Sequence, residues 1–98
     1  MKLVRNEDSL IIEADEDITA ANTEQLRQEI LKEIDDSLNK ITFNLAEVVL
    51  IDSSGISLLI SIQNTLKDKL EKLQLVNTSD DLKRMFKLMR LDRHFSVC

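Results

Sequence analysis

The chain opens on two short apolar runs, Leu3 with Val4 and then Leu10 to Ile12, separated by the polar trio Asn6-Glu7-Asp8. Residues of that kind favour turns, so the pair predicts an N-terminal β-hairpin. From Asn22 the period lengthens. Leu26, Ile30, Leu31, Ile34 and Leu38 recur every three or four positions with charges between them, the stripe of an amphipathic helix of about four turns. Asn22 is placed to cap it, and Gln25 can reach back as in a capping box. Ile41, Phe43 and Leu45 then alternate with Thr42 and Asn44, which is strand period, and the apolar run continues from Val48 to Ile51. Helical spacing returns at Ile56, Leu59, Ile60, Ile62, Leu66 and Leu70. Leu73, Leu75 and Val76 predict another strand.

Ser79 caps a third helix, with Asp80 and Asp81 in its first turn and Lys83, Arg84, Lys87 and Arg90 further along, the order that a helix dipole favours. Leu82, Met85, Phe86 and Met89 form its core stripe. The closing "FSVC" is a last short strand or a tail. Read in order, the elements are β-β-α-β-α-β-α. A strand, a helix and a strand imply a parallel pair joined by a right-handed crossover. The expected fold is therefore a single α/β domain over residues 1–98, with a mixed sheet of four to five strands and three main helices.

Composition narrows the chemistry. Hydrophobic residues make up 43% and charged residues 32%, the balance of a globular protein rather than a disordered one. No apolar run approaches the roughly 18 residues that span a bilayer, and no signal-peptide core opens the chain, so no membrane insertion and a cytoplasmic location are expected. Net charge is −5 and the only aromatics are three Phe, a poor surface for stacking bases, so no direct nucleic-acid binding is expected. Cys98 is the single cysteine and His94 the single histidine. Neither a disulfide nor a Cys/His metal site can be assembled from them, and His94 reads as a solvated surface residue. No metal, cofactor or catalytic residue is expected.

One stretch resists a purely structural account. "LIDSSGISLLIS", Leu50 to Ser61, places a carboxylate, two hydroxyls and the only glycine of a proline-free chain at a predicted helix start. Asp and Ser are good N-caps because a side-chain oxygen accepts an otherwise orphaned backbone N–H. The glycine carries a second message. Every other turn is built without one, so position 55 tolerates no side chain, and the close approach is to the chain's own fold or to a partner. A hydroxyl at an exposed helix N-terminus is also a natural phosphate acceptor, since free N–H groups and the dipole stabilise an added dianion without unfolding anything. Ser53 as a hydrolytic nucleophile is disfavoured, because no poised base accompanies it.

"LIDSSGISLLISI" resembles the signature of the STAS domain, found in sulfate transporters and anti-sigma factor antagonists. The likeness extends through "ITAANTEQLRQEI", "KITFNLAEVVLIDSSG" and "LVNTSDDLKRMFKLMRLDRHF". In the antagonist branch the motif reads apolar-Asp-Ser-Ser/Thr-Gly-Leu, and the serine after the aspartate is phosphorylated. By motif position that serine is Ser53. The resemblance implies an anti-sigma factor antagonist that binds an anti-sigma factor/serine kinase of the histidine-kinase-like ATPase class and is reset by a serine phosphatase. Ile18, Thr19, Asp52, Ser54, Gly55 and Ile56 are the implied partner-binding residues. The alternative is a STAS subunit that docks on another assembly, such as a lipid-transport ABC complex, with Ser53 only a cap.

Three positions depart from the family pattern. Glu16-Asp17-Ile18-Thr19 stands where Gly-Glu-Ile-Asp is common, so Thr19 replaces an expected Asp near the phosphorylation site. Arg90 stands where glycine is common after the last helix, so that helix is expected to run on toward His94. Ile56 replaces the usual Leu, a mild change.

Overall fold

The computed structural model describes residues 1–66 and 72–98. Its elements are β1 (Lys2–Asn6), β2 (Ser9–Glu13), α1 (Thr23–Leu31), β3 (Lys40–Asn44), α2 (Ser53–Asn64), β4 (Gln74–Val76), α3 (Asp80–Leu88), a 3₁₀ turn (Leu91–Arg93) and β5 (Ser96–Val97). The five strands form one mixed sheet in chain order, β1-β2-β3-β4-β5. β1 and β2 are the antiparallel hairpin, and every later neighbour is parallel. Three crossovers stepping in the same direction with the same hand place the three helices on one face of the sheet. The α/β class, the mixed sheet and the element order agree with the sequence pattern, and "FSVC" does supply the fifth strand.

Register shows how alternation becomes a core. Leu10 lies opposite Ile41, and Ile12, Phe43 and Leu75 form one cross-strand row. All are fully buried. The alternate row, Ile11, Thr42, Gln74 and Ser96, stays half-buried on the face without helices. From the other layer come Leu26 and Ile30 of α1, Ile56, Leu58, Leu59 and Ile62 of α2, and Leu82 and Phe86 of α3. Phe86 meets Phe95 edge to face, with ring centroids 6.2 Å apart. Among the described residues no helix is long and apolar enough to cross a membrane.

Three expectations about the helices need correction. The first helix ends at Leu31, not Leu38. Hydrogen bonding within Asp35-Asp36-Ser37 stops it: the Asp35 carboxylate accepts from the Ser37 backbone and hydroxyl at 3.0 and 2.6 Å. Arg5 then fixes this loop to the hairpin. Its guanidinium donates to Glu33 O, Asp35 Oδ1 and Ser37 Oγ at 2.6, 3.1 and 2.8 Å. The Ser37 hydroxyl, followed by Arg5, holds the Asp35 carboxyl below its ordinary value. Leu38 still enters the core, from a loop. Asn22 does occupy the N-cap position of α1, but its side chain makes no capping bond and turns back to the preceding loop. Leu66 is buried just beyond the end of α2, and Leu70 lies outside the described residues.

At the far end, α3 does not run on toward His94. Arg90 itself takes the left-handed conformation, φ 59 and ψ 29, and the chain breaks into the 3₁₀ turn. That break leaves Met89 half exposed rather than in the core stripe, while Leu91 and Phe95 turn inward. His94 is exposed, as the sequence suggests. A side chain in the left-handed region costs about 1 kcal/mol that glycine avoids. Arg90→Gly is therefore expected to stabilise the fold by about 1 kcal/mol, raising Tm by roughly 4–8 °C in a domain of this size. Thermal unfolding followed by circular dichroism checks it, and an unchanged or lower Tm would refute this account of the helix end.

Candidate functional site

The site is built where α2 leaves the carboxyl end of the sheet. Asp52, in extended conformation, is its N-cap and uses both carboxylate oxygens. Oδ1 accepts from the Gly55 backbone N–H at 2.9 Å, closing the first turn. Oδ2 accepts from the Ala20 backbone N–H at 3.0 Å, across 32 residues of sequence. One side chain thus fixes the start of α2 and the loop between β2 and α1. The Gly55 N–H, then that of Ala20, holds the Asp52 carboxyl below its ordinary value, against a smaller opposing effect of desolvation.

Backbone bonds continue the seam. Ile18 and Ile51 form a parallel bridge, in which Ile18 N–H donates to Leu50 O at 3.1 Å and Asp52 N–H to Ile18 O at 3.2 Å. Asp17 Oδ1 accepts from Val49 and Leu50 N–H at 2.9 and 3.1 Å. The Asn22 amide straps the loop internally, accepting from Thr19 N–H at 3.0 Å and donating to Asp17 O at 2.7 Å and Glu16 Oε1 at 2.9 Å.

The seam explains the glycine. A Cβ on residue 55 would lie 2.5 Å from Ile51 Cγ2, 2.6 Å from Ile18 O and 3.1 Å from Ile18 Cγ2. The carbonyl is backbone already engaged in the bridge, so it cannot swing aside. Of the two approaches open to position 55, the one to the chain's own fold is present here.

The residues singled out from the sequence come together at this edge but at different depths. Ser53 is exposed at the first position of α2, and its hydroxyl makes no hydrogen bond to the described residues. Thr19, Asp52 and Ser54 are half-buried around it. Ile18, Gly55 and Ile56 lie underneath, buried, and shape the surface from below. Sequence reasoning missed Asp17 and Asn22 as the fasteners of the facing loop. Their signal was present, since Asp and Asn are the side chains best suited to bond nearby backbone groups, but the partners of Asp17 lie some thirty residues away. It read Val49 and Leu50 only as part of an apolar run, and both are exposed ahead of Ser53.

Acids predominate in the segments that build this site, and one of them, Asp15, is paired with the Met1 ammonium at 3.0 Å. Residues 14–22 and 45–66 contain no Lys or Arg, while Asp15, Glu16, Asp17, Glu47 and Asp52 all lie there. Among the described residues no group of three or more His, Cys, Asp or Glu could hold a metal ion. A shallow pocket of about 160 Å³, lined by Ile60, Gln63, Asn64, Leu91, His94 and Phe95, opens toward the other end of α2.

Comparisons with known proteins agree with this geometry. The sequence profile of the STAS domain matches residues 1–98. Among solved structures, the unphosphorylated form of the anti-sigma factor antagonist SpoIIAA superposes with a TM-score of 0.72 at 22% identity, over 88% of this chain and 80% of that one. The phosphorylated form of the Bacillus cell fate determinant SpoIIAA gives 0.72 at 20% identity, over 99% and 89%. The murine anion transporter Slc26a9 gives 0.70 at 18% identity, over 86% of this chain but 14% of that one.

Two substitutions test the seam. Gly55→Ala is expected to cost about 1–3 kcal/mol, the range for forcing a methyl into a filled site, read as a lower urea midpoint at unchanged slope. An unchanged midpoint would mean that the seam opens freely. Asp52→Asn keeps one acceptor oxygen and must drop one of the two N–H groups. Because the folded-state carboxyl titrates below its unfolded value, its stabilisation is complete above the unfolded value near 3.8 and drains away as pH falls through the folded one. The urea midpoint of Asp52→Asn should therefore lie below wild type at pH 7, with the gap closing below about pH 4. A gap independent of pH would show that the charge is irrelevant.

Proposed function

The chain belongs to the STAS domain family, and from that premise we propose that it is an anti-sigma factor antagonist of a partner-switching pathway, with Ser53 as its switch. In the unphosphorylated state the exposed face formed by Ser53, Thr19, Asp52 and Ser54, supported from below by Ile18, Gly55 and Ile56, docks on an anti-sigma factor/serine kinase of the histidine-kinase-like ATPase class. The partner brings ATP and magnesium, transfers the γ-phosphoryl group to the Ser53 hydroxyl and lets go. A serine phosphatase restores the binding form. The domain is substrate and ligand in this cycle, and the catalysis belongs to its partners.

The observation that carries the reading is the Ser53 hydroxyl, exposed and uncommitted on a helix start that Asp52 already holds rigid. A phosphoryl group there gains from the helix N-terminus. No Lys or Arg in residues 14–22 or 45–66 can fold over it, so up to about two added charges stay on the outward face. Burying that dianion against a surface shaped for a neutral hydroxyl is costly, and a difference of about 3 kcal/mol is already a hundredfold in affinity. The solved SpoIIAA structures support the reading too. This chain resembles the unphosphorylated and phosphorylated forms equally well, each at a TM-score of 0.72, so a phosphoryl group is compatible with the fold.

The likeness to Slc26a9 favours a second reading, in which the domain regulates a transport assembly by docking and Ser53 acts only as part of a helix start. One experiment separates the two. The chain is incubated with its cognate kinase and ATP and followed by intact mass, then by affinity measurement on variants. An adduct of about 80 Da on Ser53, removed by phosphatase, is expected. Ser53→Ala should bind constitutively, and Ser53→Asp should bind at least about tenfold more weakly while melting within a few degrees of wild type. Equal affinity of wild type and both variants would leave the docking reading standing alone.

A further inference from the structure

The C-terminal end of α3 is a local patch of the reverse charge, on a sheet edge that elsewhere carries Glu7, Asp8 and Asp35. From Lys87 to Arg93 lie three basic residues, Lys87, Arg90 and Arg93, and one acid, Asp92, in a protein of net charge −5. α3 runs back from the carboxyl edge of the sheet, so its C-terminal end lies at the amino edge. Lys87, Arg90 and Arg93 are exposed there, and among the described residues none makes an ion pair or a side-chain hydrogen bond. Two large apolar side chains stand among these cations, Leu88 at 78% and Met89 at 50% exposure. The Ser53 end mirrors this arrangement: Val49 at 77% and Leu50 at 54% exposure follow Glu47 on the edge that also carries Glu16, while Asp15 there is paired with the Met1 ammonium at 3.0 Å.

We propose that the basic end of α3 is a docking surface for the acidic end of a second copy of this chain, so that copies associate head to tail. Each contact places Leu88 and Met89 against Val49 and Leu50, with Lys87 and Arg90 facing Glu47 and Glu16. Two apolar pairs leave water together while opposite charges set the register, the division of labour expected of an interface core and its rim. Nucleic acid would satisfy the cations but press Leu88 and Met89 against phosphate. An anionic membrane would attract the cations and admit Leu88 and Met89, but would leave the acidic end with its exposed Val49 and Leu50 unmatched. A second copy matches both the charge and the apolar pair. Because the two patches differ, the contact is heterologous and generates rows or rings rather than a two-fold dimer. It covers Ser53 in every copy but the last of a row. The inference does not depend on which partner Ser53 serves.

Sedimentation equilibrium at low and high salt, with no kinase or phosphatase present, tests it. Wild type is expected to reach at least about twice the monomer mass near 1 mM protein in about 20 mM salt, and to fall back to monomer at about 0.5 M, where charges are screened. Glu47→Lys/Val49→Lys spoils only the acidic end, and Lys87→Glu/Leu88→Glu only the basic end. All four positions are exposed, so both variants should fold as judged by circular dichroism. Each alone should stay monomeric, and a 1:1 mixture should associate at least to a heterodimer, because one intact acidic end and one intact basic end remain. Wild type that stays monomeric throughout, or a mixture that stays monomeric, would overturn the proposal. So would variants that associate as wild type does, or wild type that binds phosphatidylserine vesicles through Leu88 without self-associating.

Discussion

The seam between the loop after β2 and the start of α2 makes the site, and the Asp52 carboxylate is the side chain that ties both together. Asp52 accepts one backbone N–H from its own helix and another from a loop that precedes it by 32 residues. That double acceptance adds a side-chain fastening to a seam that the backbone and Asp17 also close. The loop and the helix start form one face, and the Ile18–Ile51 bridge and the bare Cα of Gly55 bring the two backbones close enough to stay joined. The same bonds hold the carboxyl in its charged form, so the fastening is secure over the pH range in which most proteins work.

What this fastening achieves is a division between neighbours in sequence. Asp52 and Gly55 are committed to the fold, whereas Ser53 between them has nothing to hold. In a partner switch that contrast is useful, because chemistry at the free residue leaves the fixed ones in place. The STAS domain also occurs as part of much longer chains, as in the transporter Slc26a9, of which this chain matches 14%. The same fold is therefore presented in very different settings.

The parts of the structure legible in the sequence were those governed by local periodicity. Alternation in Ile41-Thr42-Phe43-Asn44-Leu45 predicted a strand whose odd positions are buried, and Ser79 with two acids after it predicted a capped helix. The motif at Asp52 was legible because cap residues and glycine have few other reasons to cluster. Where reading failed, a distant group had intervened. The apolar stripe of α1 continued to Leu38, but Arg5, some thirty residues earlier, holds the chain out of the helix at Glu33 to Ser37. Arg90 was expected to extend α3 because it lacks glycine's freedom, yet burial of Leu91 and Phe95 outweighs a strain of about 1 kcal/mol. Gly55 was recognised as intolerant of a side chain, but only coordinates could name Ile18 and Ile51 as the reason.

The seam also bears on how several such proteins could coexist in one cell without crosstalk. Asp52 and Gly55 are occupied in holding the backbone, and Ile18, Ile51 and Ile56 are occupied in filling space. None of them is free to drift toward a new preference without loosening the scaffold. Under the proposed switch, discrimination between near-identical binders therefore falls to the side chains that the fold leaves idle near Ser53, chiefly Val49 and Leu50. Insulation of one pathway from its paralogues is then expected to be inscribed beside the signature, in positions that a search for the signature passes over.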